Sequence, residues 1–378
     1  MIPSVRLASL ALAGLATSGA LAHAPAGTSR VARATTATTP RPPRVPSAPK
    51  ILVYVDMDGS SGVKRARQVL YPNPEYFASR RFITSDLNAA IRGLKAGGAG
   101  EIIVTDAHGS GNTEGPDVLL EQVDKRATFL FRDAEYDPYI DILDSSYTAI
   151  VAVGMHARAR TAGFMAHTVT LEPFYTVNGT PITESELIAI SAARYGIPVI
   201  MVAGDDVLEG QVRQALPNAE YAVVKRARGR ADAQLIPQPE VQASIEKAAR
   251  AAVEKIATFK PYTVAPSYRF EIGYWNARQA DLAMAVAGVE RVDSVTVGFT
   301  TTTFPECYAR SLKTNEMARL DAMRWLLQAV RARPDGKQIM GDYLDAFVGA
   351  WLEPEKLAKV PPTKRVRPAA KTRFWGDT

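Results

Sequence analysis

The sequence predicts an α/β fold, with a mostly parallel β-sheet flanked by helices and a second, smaller α+β lobe. From residue 50 onward, short apolar runs alternate with longer segments that carry apolar residues at helical spacing. This alternation is typical of strand–helix–strand units in a parallel sheet. A Pro-containing break at 260–266 precedes further strand and helix patterns, which we assign to the second lobe. With 378 residues, 47% of them hydrophobic, the chain has ample material for a large core.

The elements follow in order along the chain. Short runs rich in Val, Ile and Ala predict strands at 51–55, 101–105, 147–153, 198–203 and 221–224. Apolar residues at helical spacing predict helices at 76–96, 183–195, 206–215 and 240–259. In the second lobe, the same criteria predict strands at 268–274 and 292–298 and helices at 277–286 and 305–331. We therefore expect a metal-binding α/β domain at 50–260, the second lobe at 261–335 and a C-terminal extension with a basic tail at 336–378.

The N-terminus has the pattern of an export signal. Arg6 precedes an uncharged Ala/Leu-rich stretch at 7–21, and small residues at Ala20, Ala22 and Ala24 offer cleavage after Ala22 or Ala24. Residues 25–49 are rich in Pro, Ala and Thr, which is typical of a linker. The sequence thus predicts a signal peptide at 1–24, a periplasmic or secreted location, and no stable membrane span after cleavage.

The charge of the chain is concentrated at its ends. The formal net charge is +6, but residues 1–50 hold six basic residues and no acid, which leaves 39 basic and 39 acidic residues in the rest. A second basic cluster lies at 364–373. The body between the two ends is therefore mildly acidic, and we expect no nucleic-acid partner.

The histidines of the folded body lie where predicted strands end. The chain has four histidines, and His23 falls in the predicted leader. His108 follows the strand at 101–105, His156 follows the strand at 147–153, and His167 lies in the Gly-containing segment just after it. In open α/β sheets, sites form beyond the carboxyl ends of the strands. The histidines are therefore candidates for a shared site.

Carboxylates complete this pattern. Asp56 and Asp58 follow the first strand, and Glu184 opens a predicted helix, where complementing the helix dipole is an alternative role. Together Asp56, Asp58, His108, His156 and Glu184 offer five mixed nitrogen and oxygen ligands. If Asp56 bridges, two metal ions each receive three protein ligands, which suits zinc in an open, catalytic site. His167 is then free to act in proton transfer.

Several ordered motifs resemble one family. The resemblance covers residues 51–326, and its motifs are Val55-Asp56-Met57-Asp58-Gly59-Ser60-Ser61-Gly62, Val104-Thr105-Asp106-Ala107-His108, Gly154-Met155-His156-Ala157-Arg158-Ala159, Gly163-Phe164-Met165-Ala166-His167-Thr168, Asn178-Gly179-Thr180-Pro181-Ile182-Thr183-Glu184, Pro198 through Asp206, and Gly298-Phe299-Thr300-Thr301-Thr302-Thr303. In order and spacing this set resembles the metallo D-aminopeptidases of the dipeptide-operon type, peptidase family M55. Each motif alone is weakly specific, but the ordered set is specific.

The resemblance implies roles for these residues. It places the metal ligands on Asp56, Asp58, His108, His156 and Glu184 and the catalytic histidine on His167. It implies an enzyme with two Zn²⁺ per chain that hydrolyses short peptides, with N-terminal D-amino acids such as D-Ala, through a metal-bridged hydroxide. It further implies a homo-oligomer, and the export signal suggests peptides derived from the cell wall as substrates.

Two departures and two alternatives accompany this prediction. The family typically has Glu where this chain has Asp58, and the export signal and linker are additional to its cytoplasmic members.

Asp56-Met57-Asp58-Gly59 also matches the signature of Mg²⁺-dependent haloacid-dehalogenase phosphatases, although that leaves the histidines and Glu184 without roles. An exported binding protein without activity is the second alternative. Asp205 and Asp206 could anchor a substrate amino group, but a helix N-cap is the favoured interpretation.

Overall fold

The computed structural model describes residues 48–112, 115–132, 137–171, 173–265, 267–352 and 372–375. The predicted signal peptide, nearly all of the predicted linker and most of the basic tail lie outside these residues. Within the described residues, every helix is too short or too polar to cross a membrane.

The described elements alternate as the sequence predicts. The strands are β1 (Ile51–Val55), β2 (Ile102–Asp106), β3 (Thr128–Arg132), β4 (Ala149–Met155), β5 (Phe174–Val177), β6 (Thr180–Pro181), β7 (Val199–Asp205), β8 (Glu220–Ala227), β9 (Ala233–Leu235), β10 (Tyr268–Gly273), β11 (Glu290–Arg291), β12 (Thr296–Thr301) and β13 (Thr372–Trp375). The α-helices are α1 (Pro74–Ala96), α2 (Glu184–Ala193), α3 (Asp206–Ala215), α4 (Gln238–Glu254), α5 (Ala277–Ala283), α6 (Phe304–Arg331) and α7 (Gly336–Leu352).

A mostly parallel sheet forms the centre of the fold, which confirms the predicted class. Its strand order is β13-β3-β2-β1-β4-β7-β8-β9, and only the edge strand β9 pairs antiparallel to its neighbour. The strands β1, β4 and β7 are buried along their whole length. Parallel strands that are covered on both faces need such continuous apolar runs. The carboxyl ends of β2, β1 and β4 are therefore neighbours at one edge of the sheet.

The two faces of this sheet bury separate cores. On β1, Ile51, Val53 and Val55 point into a core shared with α1 and α4, whereas Leu52 and Tyr54 point into a core shared with α2, α3 and the second sheet. This alternation follows from the two-residue period of a strand. The side chains that follow β1 are thus anchored from both faces.

The second sheet is antiparallel, with the order β11-β12-β10-β5-β6. The β5–β6 hairpin turns at Asn178 and Gly179, whose φ angles of 50° and 79° suit an Asn-Gly turn. The helices α5 and α6 pack on this sheet. The second sheet thus contains the hairpin at 174–181 as well as strands after residue 267. The predicted domain boundaries remain predictions.

Several elements differ from the sequence prediction. The strand predicted at 292–298 lies at Thr296–Thr301, and α4 ends at Glu254, before the predicted end at residue 259. The strands β3 and β5 and the helix α7 were not predicted. Short strands lack a clear period, and α7 lies in what we interpreted as an extension.

Candidate metal centre

The predicted site residues meet at the carboxyl edge of the central sheet. Asp56 and Asp58 directly follow β1, His108 follows β2 and His156 follows β4. Glu184 is the first residue of α2, whose N-cap Thr183 forms a reciprocal capping box with Glu186. Because β2, β1 and β4 are adjacent, their carboxyl ends bring these side chains to one place.

Two glycines let the loop after β1 approach the end of β4. Gly154 has a φ of +79°, and a Cβ there would lie 1.9 Å from the carbonyl oxygen of Asp56. A Cβ on Gly59 would lie 1.7 Å from the carbonyl oxygen of Met155, and the Gly59 N–H donates to the Gly154 carbonyl at 2.7 Å. Only glycine fits such backbone-to-backbone contact. This contact fixes Asp56 beside His156.

The side chains form one buried cluster. His108 Nδ1 lies 3.1 Å from Asp56 Oδ1 and 3.6 Å from Asp58 Oδ2. His156 Nε2 lies 3.4 Å from both Asp56 Oδ2 and Glu184 Oε1. The two oxygens of Asp56 therefore face two different histidines, as a bridging ligand requires.

Each histidine is oriented by a backbone carbonyl. The contacts are His108 Nε2 to Val69 O at 2.9 Å, His156 Nδ1 to Ala157 O at 3.1 Å and His167 Nδ1 to Met165 O at 2.6 Å. A carbonyl oxygen only accepts, so these nitrogens carry the proton and the opposite ring nitrogens are free to bind a metal. Metal-binding histidines are commonly held in this way.

The charges of the cluster favour a cation. Burial raises the pKa of Asp56, but His108 and His156 outweigh it and hold the pKa well below its ordinary value. Burial likewise raises the pKa of Glu184, and His156 and His167 bring it down to about 2. Burial lowers the pKa of His156, yet Glu184 and Asp56 raise it well above the ordinary value. Buried carboxylates that hold protons on nearby histidines will also attract a metal ion.

Unsatisfied atoms also point to a metal. Within the described residues, Asp58 Oδ1 and His156 Nε2 are buried without a hydrogen-bond partner, and such atoms call for an explanation. Three overlapping groups have ligand atoms within 4.8 Å of one another: Asp56, Asp58 and His108; Asp56, His156 and Glu184; and Asp58, His156 and His167. Imidazole and carboxylate donors without cysteine suit zinc in a catalytic site. The residues therefore fit the expected metal.

His167 lies against the cluster on a strained loop. Its ring stacks on His156 with centroids 3.9 Å apart, and its Nε2 lies 3.6 Å from Asp58 Oδ2. The non-glycine residues Arg160, Met165 and Val169 in this loop have φ angles of 62°, 51° and 60°. Strain of this kind is typical of functional sites. His167 is thus close enough to share in metal binding as well as in proton transfer.

Asp205 and Tyr139 form hydrogen bonds that position the loop of His167 and the side chain of Glu184. Asp205 Oδ1 caps α3 by accepting from Leu208 N at 2.8 Å, and its Oδ2 accepts from Phe164 N at 2.9 Å. The favoured N-cap interpretation of Asp205 is therefore the one that the structure supports. Tyr139 donates to Glu184 Oε2 at 2.7 Å.

Lys225 is a residue that the sequence analysis missed. It lies on β8 with no exposed surface, and its Nζ donates to the carbonyls of Asp58 at 2.8 Å and Val63 at 3.0 Å. Burial lowers its pKa to about 8, against the nearby carboxylates of Asp205 and Asp58. A lysine directly after the apolar run at 221–224 of this strand is the signal that could have identified it.

Comparisons with known proteins show which proteins this chain is similar to. D-aminopeptidase from Bacillus subtilis (strain 168) is 28% identical over 272 residues, which cover 71% of this chain and 97% of the relative. A solved structure, the Zn-dependent D-aminopeptidase DppA from Bacillus subtilis, a self-compartmentalizing protease, matches with a TM-score of 0.66 and 26% identity. That match covers 71% of this chain and 97% of DppA.

The fold, the site and these relatives define the class of protein, a hydrolase that is a metallo-aminopeptidase. The family model described as D-aminopeptidase, peptidase family M55, matches residues 50–312. The chain belongs to this family, as the motifs suggested. The phosphatase and binding-protein alternatives are not favoured.

Proposed function

We propose that this protein is a binuclear zinc aminopeptidase that removes N-terminal D-amino acids, such as D-Ala, from short peptides. The observation that carries the proposal is the buried convergence of three histidines and three carboxylates, with the free ring nitrogens aimed at the carboxylates. The D-amino acid preference is proposed from the names of the relatives.

Five side chains would hold the metal ions. Asp56 would bridge, because its two oxygens face His108 and His156 separately. Asp58 would join His108 on one ion, and Glu184 would join His156 on the other. Asp58 is shorter than the Glu typical of the family, yet its Oδ2 already lies 3.6 Å from His108 Nδ1. Zinc bound there would polarise a peptide carbonyl and lower the pKa of a bound water.

His167 would supply the proton transfer. Its Nδ1 is fixed on the Met165 carbonyl, so Nε2 can take up a proton and return it to the leaving amine. The stacked His156 ring and the strained loop keep His167 from turning away. An imidazole held at one nitrogen is oriented for this task.

The setting of the enzyme is part of the proposal. The predicted export signal would place it in the periplasm or outside the cell, where short D-Ala-containing peptides arise from the cell wall. A homo-oligomer is proposed because the DppA relative is described as self-compartmentalizing.

The test combines metal content with activity on matched peptides. Purified protein should bind about two zinc ions per chain, release D-Ala from D-Ala dipeptides, and leave the L-Ala dipeptides largely intact. The variant His167→Ala should keep its zinc and lose most of its activity, a loss of about 10²–10⁴-fold. The control His156→Ala should lose zinc as well.

The outcomes separate the alternatives. If His167→Ala loses zinc together with activity, His167 is a metal ligand and the proton-transfer role is wrong. A wild-type protein that stays free of zinc after zinc is supplied would refute the metal centre. Faster cleavage of the L-peptides would refute the proposed substrate.

A further inference from the structure

The end of α6 and all of α7 lie beyond the part of the chain that the family model matches. We define residues 319–331 and 336–352 as the C-terminal hairpin. It lies beyond residue 312, where the family match ends. Among the described elements, α7 packs chiefly against α6. The hairpin therefore has a surface that the rest of the described fold leaves uncovered.

This surface is apolar and exposed. On α7, apolar residues recur at helical spacing at 340, 343, 344, 347, 348 and 351. Leu344 is 52% exposed and Leu352 is 63% exposed, while on α6 Leu320 is 53% exposed. Trp325 and Leu326 of α6 are exposed as well. Large apolar side chains exposed in such number on two neighbouring helices indicate an interaction surface.

The charges and the neighbouring sequence indicate what covers it. Residues 353–371 contain only Leu357, Val360 and Val366 as large apolar residues, which is too few to cover the hairpin. Membrane-surface helices are rich in Lys and Arg, whereas α7 has two acids and one lysine. Residues 319–331 have three arginines and one acid, so the α6 segment is basic and α7 is acidic.

We propose that the C-terminal hairpin packs against the same hairpin of a second copy of this chain. In a two-fold arrangement, the basic α6 segment of each copy meets the acidic α7 of the other, and the exposed leucines are buried between them. Such an isologous contact between two helix pairs is a four-helix arrangement. The proposal is independent of the catalytic function.

The test measures mass in solution. The full-length chain, after any leader is removed, is compared with the double variant Leu344→Glu/Val348→Glu by light scattering and sedimentation. The wild type should be at least dimeric, and the variant should form a smaller particle, with helix content retained by circular dichroism. The matched control Ala346→Glu adds one charge to α7 away from the apolar positions and should leave the mass unchanged.

Three results would overturn the proposal. They are an unchanged mass in the double variant, a monomeric wild type, and a wild type that binds lipid vesicles through Leu344 and Val348.

A second inference concerns Lys225 and rests on the proposed metal function. Its ammonium reaches both ends of the ligand loop, at the Asp58 and Val63 carbonyls, and lies 4.4 Å from the centre of the Phe164 ring. Phe164 belongs to the loop that carries His167. One buried cation therefore contacts both the loop of a metal ligand and the loop of the proposed catalytic histidine.

The geometry points to Lys225 as a positioning residue for the metal centre. The Asp58 side chain is placed by its own backbone, and the backbone is held by Lys225 Nζ. The buried positive charge also interacts with four carboxylates, those of Asp205, Asp58, Asp86 and Asp56. Partners behind metal ligands typically change metal affinity by about 10–100-fold.

The experiment compares Lys225→Met and Lys225→Gln with the surface control Lys255→Met. Zinc affinity by competition with a chelator should fall at least about 10-fold in Lys225→Met, with a lower kcat and a nearly unchanged KM. Lys225→Gln keeps one donor and should lose less, which keeps the test valid if Lys225→Met does not fold. Lys255→Met should match the wild type.

Zinc affinity also distinguishes failure of the positioning role of Lys225 from failure of the proposed zinc-dependent function. If the wild type binds zinc and both Lys225 variants bind it equally well, Lys225 is merely structural and the inference fails. If the wild type itself binds no zinc, the proposed function fails first.

Discussion

Asp205 links the helix cap of α3 to the loop of His167, so its removal should affect both stability and catalysis. Its buried carboxylate accepts two backbone N–H bonds, from Leu208 at 2.8 Å and from Phe164 at 2.9 Å. The substitution Asp205→Ala removes both acceptors. The Leu208 N–H lies in the first turn of a helix, whereas the Phe164 N–H lies in the irregular loop before His167.

The magnitude follows from these two bonds. Loss of an N-cap acceptor costs about 0.5–2 kcal/mol, and a buried N–H left without a partner costs about 1–3 kcal/mol. Together they predict that Asp205→Ala lowers the free energy of unfolding by about 1.5–5 kcal/mol. Asp205→Asn keeps one oxygen for one N–H and turns an amide toward the other, so it should cost about 1–3 kcal/mol.

The assay is urea unfolding followed by circular dichroism in zinc-free buffer, so that metal binding adds nothing to stability. The control is Thr303→Ala, which removes the exposed N-cap of α6, where the bond to Glu306 N is 3.4 Å long. This control should lose less than about 1 kcal/mol. If Asp205→Ala and Thr303→Ala lose equal amounts, the bond to Phe164 contributes nothing and the reasoning is wrong.

Three further predictions concern the surroundings of the site. Burial raises the pKa of Asp86 to about 6. The contribution of Asp86 to the free energy of unfolding should therefore be greatest below about pH 4 and should fall by about 3 kcal/mol as the pH rises through 6. Denaturation across this pH range should show that fall in the wild type and not in Asp86→Asn. Tyr139→Phe removes the hydroxyl that donates to Glu184 Oε2 and should weaken zinc binding up to about 10-fold in chelator competition. An unchanged zinc affinity would show that this hydrogen bond does not support the metal site. Gly154→Ala should abolish folding, judged by soluble yield, because its Cβ would meet backbone; Gly210→Ala, in open space on α3, should stabilise the fold by about 0.5–1 kcal/mol.

Much of the site could be predicted because it depends on local patterns. Continuous apolar runs identified β1, β2 and β4, and the polar residues that follow such runs must lie at one edge of a parallel sheet. Asp56, His108 and His156 therefore lie together as expected. The roles of these residues as ligands remain predictions.

The rest depends on contacts between distant parts of the chain. The Nζ of Lys225 meets carbonyls more than 160 residues away, and no local pattern encodes that contact. The strand β3 has only three apolar residues in a row and was missed because its pairing with β2, rather than a longer apolar run, defines it. The apolar residues of α7 recur at regular helical spacing, but within the described residues they do not pack into either hydrophobic core.

The order of the metal centre along the chain has a consequence for biogenesis. Its side chains come from three strand ends and a helix start between residues 56 and 184, so no short segment can assemble the site by itself. If the chain is exported unfolded, zinc has to be acquired on the far side of the membrane, after the sheet has formed. The metal supply of that compartment, rather than that of the cytoplasm, would then set how much of the enzyme is active.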